Sequence, residues 1–396
     1  MLSGLEVLLR DPSRLSGLSV GLVCNHTAVT RELNHALPLL RAAGVQVVRV
    51  FGPEHGVEAT AQDMITVGHG DPTGDERRPA VVSLYGADAA SLRPKAEHLD
   101  DLDVVLFDIQ DIGSRYYTYQ ATLGYLLETC ATMANPPRVI VLDRPNPIDG
   151  VTLEGNLVQP GFESFVSAYP LAVRHGMTMG ELGQYFVGAL GIQAPLEVVR
   201  CEGWSRDQWL DETDQPWVFP SPNMPTLEAA AIYPGLCLIE GTNLSEGRGT
   251  TRPFHLVGAP WLDREAFTRN LRLGALDADL NGVAFRAATF EPRFQKFGGQ
   301  PCHGVEIFVT DRRAMEPFLL GLVVLEAAIR TAGDKFKWRT ETYEFVREPI
   351  AIDLLCGSHE TRVGLEARVR PRELIEGWKS EMEAWAELRG EYLLYP

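Results

Sequence analysis

Short, near-continuous apolar runs alternate with segments of helical periodicity through the first half of the chain, and this alternation limits the fold more than any other feature. The runs are "LSVGLVC" (18–24), "VQVVRVF" (45–51), "AVVSLYG" (80–86), "DVVLFDI" (103–109) and "RVIVLD" (138–143). Between them lie helix-like segments such as "ELNHALPLLRAAG" and "TYQATLGYLLETCATMA". Strands apolar on both faces and separated by helices pair in parallel, with helices covering the sheet on both sides. The pattern predicts an α/β fold with a Rossmann-like, doubly wound parallel sheet. A further helix, "MTMGELGQYFVGAL" (177–190), starts at Thr178. After "LEVVRC", the aromatic and proline-rich stretch 203–226 breaks the periodicity, and its three tryptophans offer packing or sugar-stacking surface. The domain change is placed near residue 230, giving domains 1–230 and 231–396. The second is a smaller α+β unit with strand-like "GLCLIEGT", "GVAFRAATF" and "GVEIFVT". Its helices fall at "DREAFTRNLRLGA", "AMEPFLLGLVVLEAAIRTAG" and "RPRELIEGWKSEMEAWAELRGEYLL".

Several function classes drop out early. The formal charge, 36 − 53 = −17, disfavours nucleic acid and anionic membrane as partners, since phosphate binding needs a basic face. No G-x-G-x-x-G follows the first strand, so no dinucleotide is expected, and no other cofactor is either. The six cysteines are scattered singly and the nine histidines lack ligand spacing, so no disulfide framework and no metal are expected. A G-x-S-x-G nucleophile elbow is absent. No stretch reaches the ~18 apolar residues of a membrane span, and the N-terminus lacks a basic segment followed by an apolar one. The chain as given therefore reads as cytoplasmic, or as exported if a leader has been removed. Carboxylates remain as the best candidates for chemistry, through acid–base catalysis.

Polar residues gather where strands end, which in an open α/β sheet is where ligands bind. "FGPEHG" (51–56) offers Glu54 and His55 between two glycines, where a turn alone needs only glycine and proline. "DIQDIGSRYYTY" (108–119) brings Asp108, Asp111, Arg115, Tyr116, Tyr117 and Tyr119; "DRPNPIDG" (143–150) brings Asp143, Arg144 and Asn146. In the second half, "EGTNLSEGRGTTRPF" (240–254) carries Glu240, Asn243, Ser245, Glu246 and Arg248 among glycines. Each loop also has a plainer reading, as a capped turn or an ion pair that holds the loop.

The motifs "FGPEHG", "SLYG", "DIQDIGSRYYTY", "LDRPNPIDG", "HGMTMGEL", "PSPNMPT", "YPGLCLIEGTNLSEGRGTTRPF" and "GAPW" stand in the order seen in one bacterial family, formerly a domain of unknown function. The chain resembles that family, which includes exo-acting β-N-acetylmuramidases of peptidoglycan recycling, from about residue 15 to the final "YLLYP". The resemblance implies a Rossmann-like N-terminal domain, a smaller barwin-like C-terminal domain and a site in the cleft between them. It implies removal of a terminal β-1,4-linked N-acetylmuramic acid from the non-reducing end of peptidoglycan fragments, with Glu54 as the catalytic acid. The facing carboxylate is left among Asp108, Asp111, Glu240 and Glu246, or is unnecessary if the substrate's own acetamido group participates. Asn223, in "PSPNMPT", and the loop residues above are the expected substrate contacts. Arg248 is the expected reader of the lactyl carboxylate, with pairing to Glu240 or Glu246 as its alternative. A non-catalytic sugar- or muropeptide-binding protein, or an acyl or amide hydrolase using Glu54 with His55, are the rival functions.

Overall fold

The computed structural model describes residues 1–62 and 79–396. Six strands form a parallel sheet: β1 (Ser19–Cys24), β2 (Gln46–Gly52), β3 (Ala80–Ser83), β4 (Val104–Asp108), β5 (Arg138–Leu142) and β6 (Leu196–Val199). Their order is β3-β2-β1-β4-β5-β6. This is the doubly wound arrangement, and the strand order reverses between β1 and β4. The register pairs Leu22 with Leu106 and Cys24 with Asp108, so both strands end at the same level.

The predicted two-sided burial is present. Val20, Leu22, Val104 and Leu106 pack on one face with Leu5, Leu8 and Leu40. Val23, Val105 and Phe107 point to the other face, into an apolar cluster that continues through the second half of the chain to Val323, Leu355 and Trp385. Thr178 caps the helix Met179–Gly188: its hydroxyl accepts from the Glu181 amide while the Glu181 carboxylate accepts from the Thr178 amide.

The second half holds a three-stranded antiparallel sheet of β7 (Leu256–Ala259), β8 (Val283–Phe290) and β9 (Cys302–Val309), in the order β7-β9-β8. Helices Arg264–Asp277 and Pro317–Ala332 lie where periodicity places them. Two segments differ from expectation. "GLCLIEGT" is not a strand; it closes the helix Leu227–Leu236 and continues as the 3-10 turn Cys237–Gly241. That helix is buried on nearly every side, so it has no polar face, and a short apolar run of this kind cannot be told from a buried strand by period. The predicted C-terminal helix is two, Pro371–Gly377 and Lys379–Gly390, broken at Trp378, whose indole N–H donates to Glu360 (2.9 Å).

Two contacts fix the parts that frame the site. Gly235 and Gly321 let helices Leu227–Leu236 and Pro317–Ala332 touch: a Cβ on Gly235 would stand 1.7 Å from the Pro317 carbonyl oxygen. The C-terminal segment returns to the first sheet, where Tyr395 donates to Asp143 (2.5 Å) and Trp385 meets the edge of Tyr185 at 5.2 Å. No described helix is long and apolar enough to cross a membrane.

Candidate active site

β2 buries Val50, Phe51 and Gly52 and then stops at Pro53, which fixes its own φ and brings no amide hydrogen. The chain turns back through His55 (φ 69°) and Gly56 (φ 82°), and the Gly56 amide donates to the Pro53 carbonyl (2.9 Å). The turn points Glu54 and His55 into a cavity at the carboxyl end of the sheet. His55 Nδ1 donates to the Ala61 carbonyl (2.8 Å), which fixes the orientation of the ring.

Glu54 is only 6% exposed, and its Oε2 accepts from the Thr118 hydroxyl at 2.6 Å. Thr118 is the N-cap residue of the helix Tyr119–Thr132, yet its side chain makes no capping bond to that helix. A threonine in this position usually stabilises its helix by about 1 kcal/mol. Here the hydroxyl serves Glu54 instead, and the carboxyl group rests against the positive end of the helix.

Aromatic rings form one wall. Tyr117 meets Tyr119 at 5.1 Å and Tyr233 at 5.7 Å, and Tyr233 meets Phe254 at 4.9 Å, all edge to face. Burial pushes the phenols of Tyr116, Tyr117 and Tyr119 up, so they are neutral hydrogen-bonding groups. The second half also lines the cavity with Glu240, Arg248, Tyr343 and Glu344. Glu240 accepts from Arg248 Nη2 (2.5 Å) and from the Tyr343 hydroxyl (2.9 Å).

Of the residues singled out from sequence, Glu54, His55, Tyr116, Tyr117, Tyr119, Asn223, Glu240 and Arg248 line this cavity. The others do not, and each has a scaffold task. Asp108 is fully buried and holds Arg144 through two bonds, 2.6 and 3.1 Å, while Arg144 also donates to the Val29 carbonyl (3.0 Å). Asp111 accepts from the Gly113 amide (2.7 Å), with His175 Nε2 at 3.7 Å. Arg115, also fully buried, donates to the carbonyls of Asn156, Leu171 and Leu355 and so pins three distant segments together. Asp143 accepts from the amides of Arg144 and Gly180 and the hydroxyls of Thr178 and Tyr395; burial pushes it up to about 6. Asn146 donates to the Met177 carbonyl, and Asn243 bonds Lys335 and Lys337 across a turn. Ser245 pairs through its backbone with Gly258. Glu246 takes Lys296 (3.0 Å) and Arg248 Nε (3.4 Å).

Arg248 is thus held between Glu240 and Glu246, the loop-holding arrangement that was the alternative to reading a lactyl group. Thr118, Ser221, Tyr233, Phe254, Tyr343 and Glu344 are among the lining residues that sequence reasoning did not single out. Thr118 had one available signal, its place inside the richest polar motif. Glu344 had none, since only the fold brings "TYEF" to the ends of β2 and β4.

Two family models together cover nearly the whole chain: the N-terminal part of exo-β-N-acetylmuramidase NamZ over residues 20–228 and its C-terminal part over 231–395. The peptidoglycan β-N-acetylmuramidase NamZ of Bacillus subtilis (strain 168) is 39% identical over 399 residues, 99% of this chain and 91% of that protein. Two crystal structures of DUF1343-family proteins from Bacteroides fragilis superpose over the full chain. One has a TM-score of 0.85 at 31% identity, covering 99% of that protein; the other 0.77 at 26%, covering 98%. Matched across both parts of the family, with its fold and at this identity, the chain belongs to the exo-β-N-acetylmuramidase NamZ family.

Proposed function

We propose that this protein is a glycosidase that removes terminal, β-1,4-linked N-acetylmuramic acid from the non-reducing end of peptidoglycan fragments. Glu54 is the general acid in this reading. The observation that carries it is the arrangement around that side chain: a nearly buried carboxyl group on the cavity wall, held by a hydroxyl withdrawn from its own helix cap. Thr118 fixes Oε2 and with it the orientation of the carboxyl group that presents the proton to the glycosidic oxygen. As the C1–O bond breaks, its electron pair stays with the leaving sugar, and the proton from Glu54 neutralises it. The tyrosine and phenylalanine rings suit the apolar face of a pyranose ring, with phenols and Asn223 at hand for its hydroxyls. The division into a catalytic part, 1–230, and a part that closes the cleft, 231–396, is proposed with it. The six free, buried cysteines support the cytoplasm as the compartment.

Incubation with a chromogenic muramic acid glycoside and with the N-acetylmuramic acid–N-acetylglucosamine disaccharide tests the reading. Release of the chromophore and of free N-acetylmuramic acid is expected. Tight binding of the disaccharide without turnover would make the protein a muropeptide or sugar sensor instead.

A further inference from the structure

Beside the cavity, the second half of the chain holds a groove of about 760 Å³. Two of the segments that wall it run on into the cavity. In the loop after the helix Leu227–Leu236, Glu240 lines the cavity while Thr242 and Asn243 line the groove. In the strap 335–344, Lys337, Trp338 and Arg339 line the groove while Tyr343 and Glu344 line the cavity. Loop and strap are tied together at the groove. Asn243 donates to the Lys335 carbonyl (2.9 Å) and accepts from the Lys337 amide (3.0 Å), and the Arg339 amide donates to the Gly241 carbonyl (2.8 Å). The Arg339 guanidinium stands 4.9 Å from the centre of the Tyr343 ring, so that ring is a partition between groove and cavity.

A third segment brings a second aromatic side chain. Gln295 (φ 64°) and Phe297 (φ 60°) are both left-handed, a backbone conformation that is costly for residues other than glycine. Between them Lys296 is anchored, donating to the carbonyls of Ile239 (3.1 Å) and Leu244 (2.9 Å) and to Glu246 (3.0 Å). The anchor holds the strained backbone against the cavity-lining loop and sets Phe297 in the groove with Trp338. Strain of this kind gathers where a side chain is needed at a set place. Trp338 is held as well: its indole N–H donates to Glu366 (2.8 Å), and its ring meets that of Phe336 edge to face at 4.9 Å. Both groove rings are half-buried, and Lys337 beside them is exposed and makes no ion pair among the described residues. On a chain of net charge −17, an available ammonium next to two fixed rings suits an anionic sugar: the rings cover an apolar sugar face and the ammonium meets a carboxylate.

We propose that this groove is a second saccharide subsite, which holds the strand that stays behind when the terminal sugar is released and reads the carboxylate of its next N-acetylmuramic acid. This inference rests on the glycosidase reading above. In a strand of alternating sugars the unit freed at its own end is N-acetylglucosamine, and the unit beyond it again bears a lactyl carboxylate. Contacts this far from the breaking bond act on ground state and transition state alike, so they lower KM and raise kcat/KM without raising kcat.

The test measures release of the first N-acetylmuramic acid from the disaccharide and from the tetrasaccharide made of two such units, by wild type, Trp338→Ala and Lys337→Glu. The disaccharide, too short to reach the groove, is the reference in each protein. Wild type is expected to favour the tetrasaccharide by about tenfold or more in kcat/KM, through KM, the size of burying one large side chain against a ligand. Both variants are expected to bring that ratio to within about twofold of one, and the effect of Lys337→Glu should be larger at low salt. Lys337 is exposed, so Lys337→Glu decides the matter should Trp338→Ala fail to fold. A wild-type ratio near one, or a preference that survives in a folded variant, overturns the groove while leaving the glycosidase reading intact. A wild-type protein inactive on both substrates overturns the glycosidase reading; calorimetric titration of the tetrasaccharide then judges the groove by itself, and equal affinity in wild type and Lys337→Glu overturns it.

Discussion

Replacing Thr118 by valine keeps the shape of the side chain and removes the hydroxyl that donates to Glu54 at 2.6 Å. The bond is charge-assisted while Glu54 is ionised and ordinary while it is protonated. Hydrogen bonds to charged groups stabilise by about 1.5–3 kcal/mol and neutral ones by about half of that. The difference, about 1–1.5 kcal/mol, favours the ionised form, and at 1.36 kcal/mol per pKa unit it is worth roughly one unit. Without the hydroxyl the carboxyl group holds its proton more tightly. A general acid works while protonated, so the alkaline limb of kcat/KM against pH should move upward by about one pH unit in Thr118→Val. Thr118→Ser, which keeps the donor, should leave the limb in place. The hydroxyl makes no capping bond to its helix, so the loss of stability in Thr118→Val should be that of its bond to Glu54 alone, and Thr118→Ser should hold its Tm. The assay is the initial rate of N-acetylmuramic acid release from the disaccharide across the pH range. An alkaline limb that stays put, or moves down, in Thr118→Val would refute the claim that this hydroxyl sets the proton affinity of the catalytic acid.

Arg248→Ala leaves Glu240 and Glu246, both buried, without the guanidinium between them, which should cost about 3–5 kcal/mol of stability. Its kcat/KM should fall equally on the muramic acid glycoside and the glucosamine analogue; a loss confined to the muramic substrate would instead place Arg248 at the lactyl group. Asp143 is pushed up to about 6 by burial, so the native state binds its proton more tightly than the unfolded chain, whose value is near 3.8. Its contribution to stability is therefore present below pH 4 and lost as pH rises to 6, by up to about 3 kcal/mol for a shift near two units. Asp143→Asn does not titrate, so subtracting its denaturation profile from that of wild type should reveal this decline, and a flat difference between pH 4 and 6 would exclude it.

The sheet was legible because its strands are buried on both faces and their runs are almost wholly apolar. β1, β2, β4 and β5 lie where those runs lie, within a residue or two. The helix Leu227–Leu236 escaped for the same reason in reverse: burial on nearly all sides removed the polar face that would have marked its period. At the site, "GPEHG" was legible because it offers more chemistry than a turn requires. The other polar loops were harder to divide. Asp108, Arg115, Asp143 and Arg144 are as polar as any ligand-binding group, yet they spend their hydrogen bonds on one another and on backbone carbonyls, holding loop ends together. A buried charge must find partners whether or not a ligand is near, so composition alone cannot separate the two tasks. Tyr343 and Glu344 could be found only in space, since the turn that carries them reaches the first sheet through packing on Tyr85.

The central claim is that Glu54 delivers the proton that frees the leaving sugar. Its most direct test is the rate of N-acetylmuramic acid release from the natural disaccharide by Glu54→Gln, with folding confirmed by an unchanged Tm. Loss of a general acid predicts a rate lower by about 10² to 10⁴. A folded Glu54→Gln protein that releases N-acetylmuramic acid within about threefold of wild type would contradict the account, since no positioned acid contributes so little.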